Sequence, residues 1–316
     1  MTEHRIPTAV SRLNRRDRRR LAKRRQPSGR RMAVSVAAGV TLGLSSLGTS
    51  AAGADSYQQM QHNIQGEAGG HNGSPVLLQA IKQGILYSDQ SGDPPYAVSL
   101  NEVCYTQFLD LQNFLTTFYP GQYQTRFTTT RKVNLSDDCS AAYGNAIAVR
   151  GGVYSDPWPT GNPYPGQSGN EIRRLRCVQY GVFGPAFYVC NTHLTNNASV
   201  ASGQLAYAFA WMNSWYATPG VLFMGDLNQT PNDNSIIQGA YSNYFEADHG
   251  CGSYGGGGDD SPTFSTVKFD YVFGSKGNAG TRFASCGLSR VYSSTYPSGQ
   301  AAYSDHRMLG GNLNWG

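Results

Sequence analysis

The amino-acid sequence predicts an α/β sandwich that follows an N-terminal export signal. In the first half of the chain, short apolar runs alternate with amphipathic helical stripes, and hairpins and loops dominate the second half. This order of elements is typical of β-sheets covered by helices. Residues 55–316 are numerous enough for one large domain with its own hydrophobic core.

The first 54 residues have the composition of an export signal. Arginine dominates Met1–Arg31, residues 32–52 carry no charge, and Ala52-Gly53-Ala54 supplies small residues before Asp55. A transmembrane anchor is the alternative, but Gly, Ser and Thr dilute the apolar stretch. We therefore expect cleavage after about residue 54 and a secreted, monomeric protein without a stable membrane anchor. The sequence leaves open whether export is general or of the twin-arginine type.

Removal of the signal reverses the net charge. The whole chain has 25 Lys and Arg against 20 Asp and Glu. Since residues 1–54 hold 12 of the basic and 2 of the acidic residues, the remainder has a net charge of −5. A protein of this charge has no global positive field to attract nucleic acid. Polyanion binding would need a local basic patch or a bound metal ion.

All six cysteines follow the signal, and an even number in an exported chain predicts three disulfides. We predict the pairs Cys104–Cys139, Cys177–Cys190 and Cys251–Cys286, each of which closes a local loop. The absence of CxxC or Cys/His metal spacing argues against a structural zinc site.

Short apolar runs between loop residues predict the strands. The runs are Tyr57–Ile64, Ala97–Val103, Arg173–Tyr180, Ala186–Thr192, Val221–Met224, Lys268–Phe273 and Met308–Asn312. Helical stripes predict a helix through Phe108–Phe118 and another that begins near Ala201. Ser74–Gln83 is a third predicted helix, with Ser74 as its N-cap and proline at its first position. The glycine-rich segment Gly252–Asp260 is predicted to be a mobile loop or lid.

Polar side chains lie at the ends of six of the predicted strands. The segments are His62-Asn63, Asn101-Glu102, Asn191-Thr192-His193, Asp226-Leu227-Asn228, Asp270-Tyr271 and Ser304-Asp305-His306. Any one of them has an alternative interpretation as a turn or cap, but six in one chain favour a common site at the strand ends. Amide and carboxylate oxygens without cysteine favour Mg²⁺, with Mn²⁺ and Ca²⁺ as alternatives. Imidazoles beside them supply acid and base groups near neutral pH.

In their order along the chain, these segments resemble the deoxyribonuclease I-like (endonuclease/exonuclease/phosphatase) superfamily. The matching positions are Asn63, Glu102, Gly144-Asn145-Ala146-Ile147, Thr192-His193, Gly225-Asp226-Leu227-Asn228, Asp270-Tyr271 and Ser304-Asp305-His306. The resemblance extends from about Tyr57 to the C-terminus. It implies a four-layer α/β sandwich over residues 55–316, with two mixed sheets packed face to face and helices outside.

The resemblance also implies roles for individual residues. Asn63, Glu102 and Asp305 would surround the metal ion. Asp226 and Asn228 would orient the attacking water and contact the phosphate.

For the two imidazoles, the resemblance implies an acid–base pair. His306 would be a general base or phosphate donor held by Asp270. His193 would be the acid or a second phosphate donor, and Glu171, before the strand Arg173–Tyr180, would orient it.

Three functions are compatible with this reading. We expect a secreted, metal-dependent endonuclease acting on DNA, with RNA left open. A secreted sphingomyelinase-type phospholipase C is the alternative; it needs an exposed apolar hairpin to enter lipid, for which Tyr154–Tyr164 with Trp158 is the candidate. A catalytically inactive binding protein of the same fold is the third. A phosphate-backbone track for nucleic acid would use six basic residues: Arg126, Arg131, Lys132, Arg173, Arg174 and Arg176.

Overall fold

The computed structural model describes residues 56–66, 73–90, 94–132, 139, 142–181, 187–215, 220–232, 234–250, 260–276, 283–293 and 304–315. The predicted export signal, Cys251 and the four consecutive glycines at 255–258 lie outside these ranges. The predictions for the signal, the Cys251–Cys286 pair and the glycine-rich lid therefore stay predictions.

The described residues form strands in two sheets and four α-helices. The strands are β1 (Ser56–Asn63), β2 (Ala97–Cys104), β3 (Tyr123–Lys132), β4 (Ala142–Arg150), β5 (Gly152–Ser155), β6 (Asn162–Pro163), β7 (Arg174–Gly181), β8 (Phe187–His193), β9 (Val221–Asp226), β10 (Tyr244–Glu246), β11 (Asp270–Ser275), β12 (Phe283–Val291) and β13 (Leu309–Trp315). The helices are α1 (Gln79–Gln90), α2 (Tyr105–Phe118), α3 (Ala198–Trp215) and α4 (Ser235–Ala240). None of the described helices is long and apolar enough to span a bilayer.

Both sheets are mixed. The first has the order β12-β13-β1-β2-β4-β3 and the second β10-β11-β9-β8-β7-β5. Neighbouring strands are parallel only at β1–β2 and β8–β9 among the described pairs. The parallel pairs place their carboxyl ends at one edge of each sheet, and this edge holds the candidate site.

Three apolar clusters fill the spaces between the helices and the sheets and between the two sheets. Leu111 and Leu115 of α2 pack with β1, β2 and β4, and Leu205 of α3 packs on the second sheet. A third cluster lies between the sheets. In β9, Phe223 faces the helices and Leu222 faces the other sheet, because side chains alternate along a strand. The predicted sandwich with helices outside is confirmed.

The differences from the predicted elements have local causes. Strand β3 was not predicted because its Thr- and Arg-rich sequence is half-exposed at the sheet edge. Strand β11 begins at Asp270 rather than Lys268, and Lys268 is instead buried in ion pairs with Glu246 and Asp248 at 3.3 and 3.1 Å. Ser74 does cap a helical segment, but its first turn is a 3-10 helix that precedes α1.

Two of the predicted disulfides are confirmed. Cys104 is bonded to Cys139, and Cys177 is bonded to Cys190, its direct partner across the β7–β8 hairpin. Loop closure of this kind restricts the unfolded chain and so stabilises the fold.

Candidate active site

The polar strand ends converge because of the sheet register. Asn63 lies beside Asn101 in the parallel β1–β2 pair, and His193 lies beside Asp226 in the parallel β8–β9 pair. Asp270 begins β11 directly opposite Asp226 in an antiparallel pair. The two edges meet where the Asn101 side chain accepts a 2.9 Å hydrogen bond from the backbone N–H of Asp226.

Glu102 is presented by an irregularity in β2. The β2–β4 register shifts between Leu100 and Val103, and Glu102 has a φ of 57°. A bulge with one residue in this left-handed region re-aims a side chain at the cost of backbone strain. The Asn63 amide binds the re-aimed carboxylate, donating to Glu102 Oε1 at 3.0 Å and to Asp226 Oδ2 at 2.9 Å.

The turn after β9 fixes the protonation of His193. Asn228, with a φ of 50°, donates its backbone N–H to Asp226 Oδ1 at 2.9 Å. Its side-chain Nδ2 donates to the Leu194 carbonyl at 3.0 Å, which fixes the orientation of the amide because a carbonyl only accepts. The same Nδ2 lies 3.1 Å from His193 Nε2. His193 Nε2 must therefore accept, so the imidazole is neutral with its proton on Nδ1.

A close contact behind this turn explains the glycine at position 225. A Cβ atom there would lie 2.1 Å from the backbone oxygen of Thr192 on the neighbouring strand. Only glycine lets β8 and β9 approach closely enough to bring His193 beside Asp226.

His306 forms a hydrogen-bonded pair with Asp270. Its Nδ1 donates to Asp270 Oδ2 at 2.7 Å, and its Nε2 lies 3.6 Å from Asp226 Oδ2. Burial opposes the charged imidazole, but the carboxylates of Asp270 and Asp226 outweigh burial and raise the pKa of His306 to about 10. In turn, burial disfavours the Asp270 anion, yet His306 lowers its pKa. The pair is therefore imidazolium and carboxylate at neutral pH.

The pKa values of His193 and Asp226, the other two titratable groups at the centre, are shifted in the directions that favour their neutral forms. Burial lowers the pKa of His193 well below its usual value, and Arg173 and His306 lower it further. Burial raises the pKa of Asp226 to about 7, although His306 opposes this shift. Asp226 Oδ2 lies 3.5 Å from His193 Nε2. The site thus holds one imidazolium, one neutral imidazole and a carboxyl group that exchanges its proton near neutral pH.

The C-terminal segment is held on the end of β1. Ser304 Oγ donates to the Asn63 carbonyl at 2.6 Å and accepts from the His306 N–H at 3.0 Å. His62 Nε2 lies 3.2 Å from the His306 carbonyl, so this nitrogen carries the proton. These contacts set the backbone that carries both Asp305 and His306.

His62 is expected to make the stability of the fold pH-dependent. Burial lowers its pKa from 6.5 to about 4. The unfolded chain therefore binds more protons between these values, and stability present at pH 7 is lost as the pH falls toward 4. The shift corresponds to about 3 kcal/mol. Urea unfolding from pH 7 to 4 should show wild type losing about that much more than His62→Gln; parallel losses would contradict this prediction.

The carboxylates at this edge have few cationic partners. Glu102, Asp226, Asp270 and Asp305 lie at or around the centre, and within the described ranges their ion pairs are with His193 or His306, none with Lys or Arg. Asp305 is exposed and accepts from Gln65 Nε2 at 3.1 Å, while the Gln65 N–H donates to Asn63 Oδ1 at 3.0 Å. Carboxylate and amide oxygens without a Lys or Arg partner fit a hard divalent cation.

A second grouping of donor atoms has a different explanation. One atom each of Asp226, Asp270 and His306 lies within 4.8 Å of the others. His306 Nδ1 already donates its proton to Asp270, which is the geometry of a hydrogen-bonded pair rather than of two ligands to one ion. We therefore treat these residues as acid–base groups.

The structure does not show the predicted contact between Glu171 and His193. Its carboxylate lies 3.2 Å from Arg173 Nη1 and 3.4 Å from Thr130 Oγ1, and it does not contact His193. The loop before β7 directs it toward β3 instead. Asn228 holds His193, and Glu171 holds Arg173, whose charge is close enough to lower the pKa of His193.

Three residues of the predicted basic track already have partners within the protein, so the track is only partly available to bind a phosphate backbone. Arg176 is buried and pairs with Asp156 Oδ2 at 2.5 Å, and Arg126 pairs with the same oxygen at 3.2 Å. Arg174 donates to the Gly161 carbonyl at 3.2 Å. These residues fasten the loop 156–161 to the sheet, while the side chain of Lys132 lies outside the described residues.

The predicted lipid-entry hairpin is packed against the protein. Trp158 lies 5.1 and 5.2 Å from Trp211 and Trp215 of α3, between ring centroids, and is only partly exposed. An aromatic side chain held in this way is not free to enter a bilayer.

Sequence reasoning did not single out Gln61 or Gln65. The available signal was the alternation of Gln59, Gln61 and Asn63 along β1, which places polar side chains between the two sheets. All three are buried.

Comparisons with known proteins identify the fold. No family model matches the chain, and no curated protein matches it. A truncated TDP2 of Caenorhabditis elegans aligns with a TM-score of 0.59 and 17% identity over 82% of this chain and 98% of that chain. TDP2 of D. rerio, complexed with a single-strand DNA product, has a TM-score of 0.59 and 16% identity over 82% and 99%.

A bacterial structure gives the same result. An endonuclease/exonuclease/phosphatase family protein from Bacteroides thetaiotaomicron aligns with a TM-score of 0.60 and 14% identity over 83% of this chain and 99% of that chain. Together with the ordered strand-end residues, these alignments confirm the resemblance stated from the sequence at the level of the fold. This protein therefore has the fold of the deoxyribonuclease I-like (endonuclease/exonuclease/phosphatase) superfamily.

Proposed function

We propose that this protein is a secreted, divalent-metal-dependent phosphodiesterase that hydrolyses nucleic acid, with DNA as its first substrate. The observation that carries the proposal is the convergence on Asp226 of the neutral His193, the protonated His306 and the Asn63–Glu102 pair. Phosphodiester hydrolysis needs groups that accept a proton from water and groups that neutralise phosphate oxygens. The site contains both kinds: Asn63, His193 and His306 each place a nitrogen within 3.6 Å of Asp226 Oδ2.

Asn63, Glu102 and Asp305 would hold the metal ion. Their oxygens suit Mg²⁺, and Mn²⁺ or Ca²⁺ would accept the same donors. When bound, the ion would supply positive charge to a phosphate oxygen.

The protein's own groups divide the remaining tasks. Asp226, with a pKa of about 7, would accept the proton of the attacking water, and Asn228 Oδ1 would orient that water by accepting its other proton. His306, kept charged by Asp270, would donate from Nε2 to a phosphate oxygen. His193 Nε2, which accepts from Asn228 Nδ2 at 3.1 Å, would hold the Asn228 amide in place, and Arg173 would add positive charge from the β7 side.

Several observations support a nucleic-acid substrate. One structural neighbour, TDP2 of D. rerio, was solved with a single-strand DNA product. The composition of residues 1–54 supports export, and an exported nuclease would release nucleotides and oligonucleotides outside the cell. The packing of Trp158 on α3 weighs against the sphingomyelinase-type alternative, which needs a free apolar hairpin.

A side-by-side hydrolysis assay tests the proposal. Purified protein with Mg²⁺, Mn²⁺ or Ca²⁺ is offered plasmid DNA, RNA and sphingomyelin vesicles. We expect DNA nicking that His306→Ala abolishes and that His249→Ala, which removes an imidazole outside the site, leaves intact. Release of phosphocholine with intact DNA would replace the substrate by a phospholipid, and no turnover of any substrate would contradict the enzyme proposal.

A further inference from the structure

Gln61 connects the two sheets directly behind the candidate site. It is fully buried on β1, two residues before Asn63, so both side chains point from the first sheet toward the second. Its amide nitrogen donates to Asp270 Oδ1, at the start of β11 in the other sheet, at 3.1 Å. Asp270, the carboxylate that holds His306, therefore accepts a hydrogen bond at each oxygen, from Gln61 at Oδ1 and from His306 at Oδ2.

The hydrogen bonds behind Gln61 all run in one direction. A carboxylate only accepts, so Gln61 must turn Nε2 toward Asp270 and Oε1 away from it. Ser99 Oγ then donates to Gln61 Oε1, and Asn191 Nδ2 donates to Ser99 Oγ at 2.5 Å. A buried chain with every donor aimed at Asp270 is polarised toward that carboxylate and resists a flip of the Gln61 amide.

The second N–H of the same amide reaches the other carboxylate. Gln61 Nε2 also donates to Asn101 Oδ1 at 2.7 Å. That oxygen accepts the backbone N–H of Asp226 at 2.9 Å. One side chain thus positions both carboxylates that face His306, Asp270 directly and Asp226 through Asn101.

We propose that Gln61 is a positioning residue for the chemical step: it orients Asp270 and, through Asn101, the Asp226 segment, and thereby aims His306 at the reacting phosphate. The inference rests on the proposed function. Gln61 lies behind both carboxylates in the closed interface between the sheets, so it acts through them and has no contact with substrate. Its loss should reduce kcat rather than substrate binding.

Gln61→Met removes the amide at similar volume, and Gln59→Met is its matched control. Gln59 is buried on the same face of β1, two residues farther from the strand end. We expect Gln61→Met to lower kcat on plasmid DNA by about 10- to 100-fold, the range known for hydrogen-bonding partners behind metal ligands, with KM nearly unchanged. Gln59→Met should keep wild-type kcat.

A double-mutant cycle separates positioning from general damage. Because the direct carboxylate contact of Gln61 is with Asp270, adding Gln61→Met to Asp270→Asn should cost less activity than the same change costs in the wild-type protein. Ser99→Ala is a milder change that removes the donor to Gln61 Oε1, and it should also lower kcat. It is the test variant if Gln61→Met does not fold. Additive losses in the cycle, or equal losses in Gln59→Met, would overturn the inference.

A second readout does not depend on activity. The His306 Nδ1 proton, held at 2.7 Å by a buried carboxylate, should give a downfield proton NMR signal. This signal should shift or disappear in Gln61→Met and persist in Gln59→Met; an unchanged signal in Gln61→Met would reject the positioning role. If the wild-type protein cleaves no substrate, the proposed function fails, and the NMR comparison still decides the role of Gln61.

Discussion

Replacing Asp226 by asparagine is expected to lower kcat for DNA cleavage by about 10²- to 10⁴-fold, the usual contribution of a positioned acid or base. The asparagine amide has the same shape but does not accept a proton from water. It also has one oxygen where the carboxylate uses two, for Asn63 at 2.9 Å and for the Asn228 N–H at 2.9 Å. KM should change little, because the loss falls on the chemical step.

The pH profile gives this prediction its control. Burial raises the pKa of Asp226 to about 7, and the ionised form is the active one, so kcat/KM should rise as the pH increases through about 7. A nearby cation stabilises the carboxylate and moves this limb to lower pH. The limb should be missing in Asp226→Asn. A wild-type rate, or an unchanged limb, in the variant would assign the base to another residue.

Removal of divalent metal is expected to abolish cleavage. Glu102→Gln should weaken metal binding, so that a much higher Mg²⁺ concentration is needed for activity. Loss of a group behind a metal ligand typically costs about 10- to 100-fold in affinity, so the loss of a ligand itself should cost about 100-fold or more. The glutamine still accepts the Asn63 hydrogen bond, made at 3.0 Å in the native protein. The change therefore tests charge and ligation rather than shape.

Activity should be titrated with Mg²⁺ after treatment with EDTA, and metal binding should be followed by calorimetry. Asp110→Asn is the matched control, since it removes a carboxylate that pairs with Lys82 at 2.5 Å on the helical layer. Wild-type metal dependence in Glu102→Gln, or full activity in EDTA, would contradict the metal site.

The strand-end residues could be predicted as one site because strand pairing itself defines their positions. Asn63, Glu102, His193 and Asp226 lie at the carboxyl ends of two parallel pairs. The sandwich stacks the two sheets with these ends at the same edge, where Asn63 and Asn101 bind Asp226. Glu171 had no such constraint. It lies in a loop before β7, and the path of that loop, not the register of a sheet, directs it to Arg173 rather than to His193.

The basic residues were harder to predict for the same reason. Arg174 and Arg176 alternate along β7, which from sequence favours a surface track. The loop 156–161 covers this part of the sheet, and Asp156 and the Pro159 carbonyl bind Arg176 there. The pattern along β7 contains no information about a loop outside the strand that folds back and packs on it.

By itself, the sequence determined the kind of fold and the kinds of side chain at the strand ends, because periodicity and strand order are local properties. Only the tertiary structure decided what those side chains do. His193 and His306 have the same intrinsic pKa, but one is buried with an amide donor and Arg173 nearby, and the other lies between two carboxylates. Burial and neighbouring charge, which come from contacts across two sheets, make the first neutral and the second cationic.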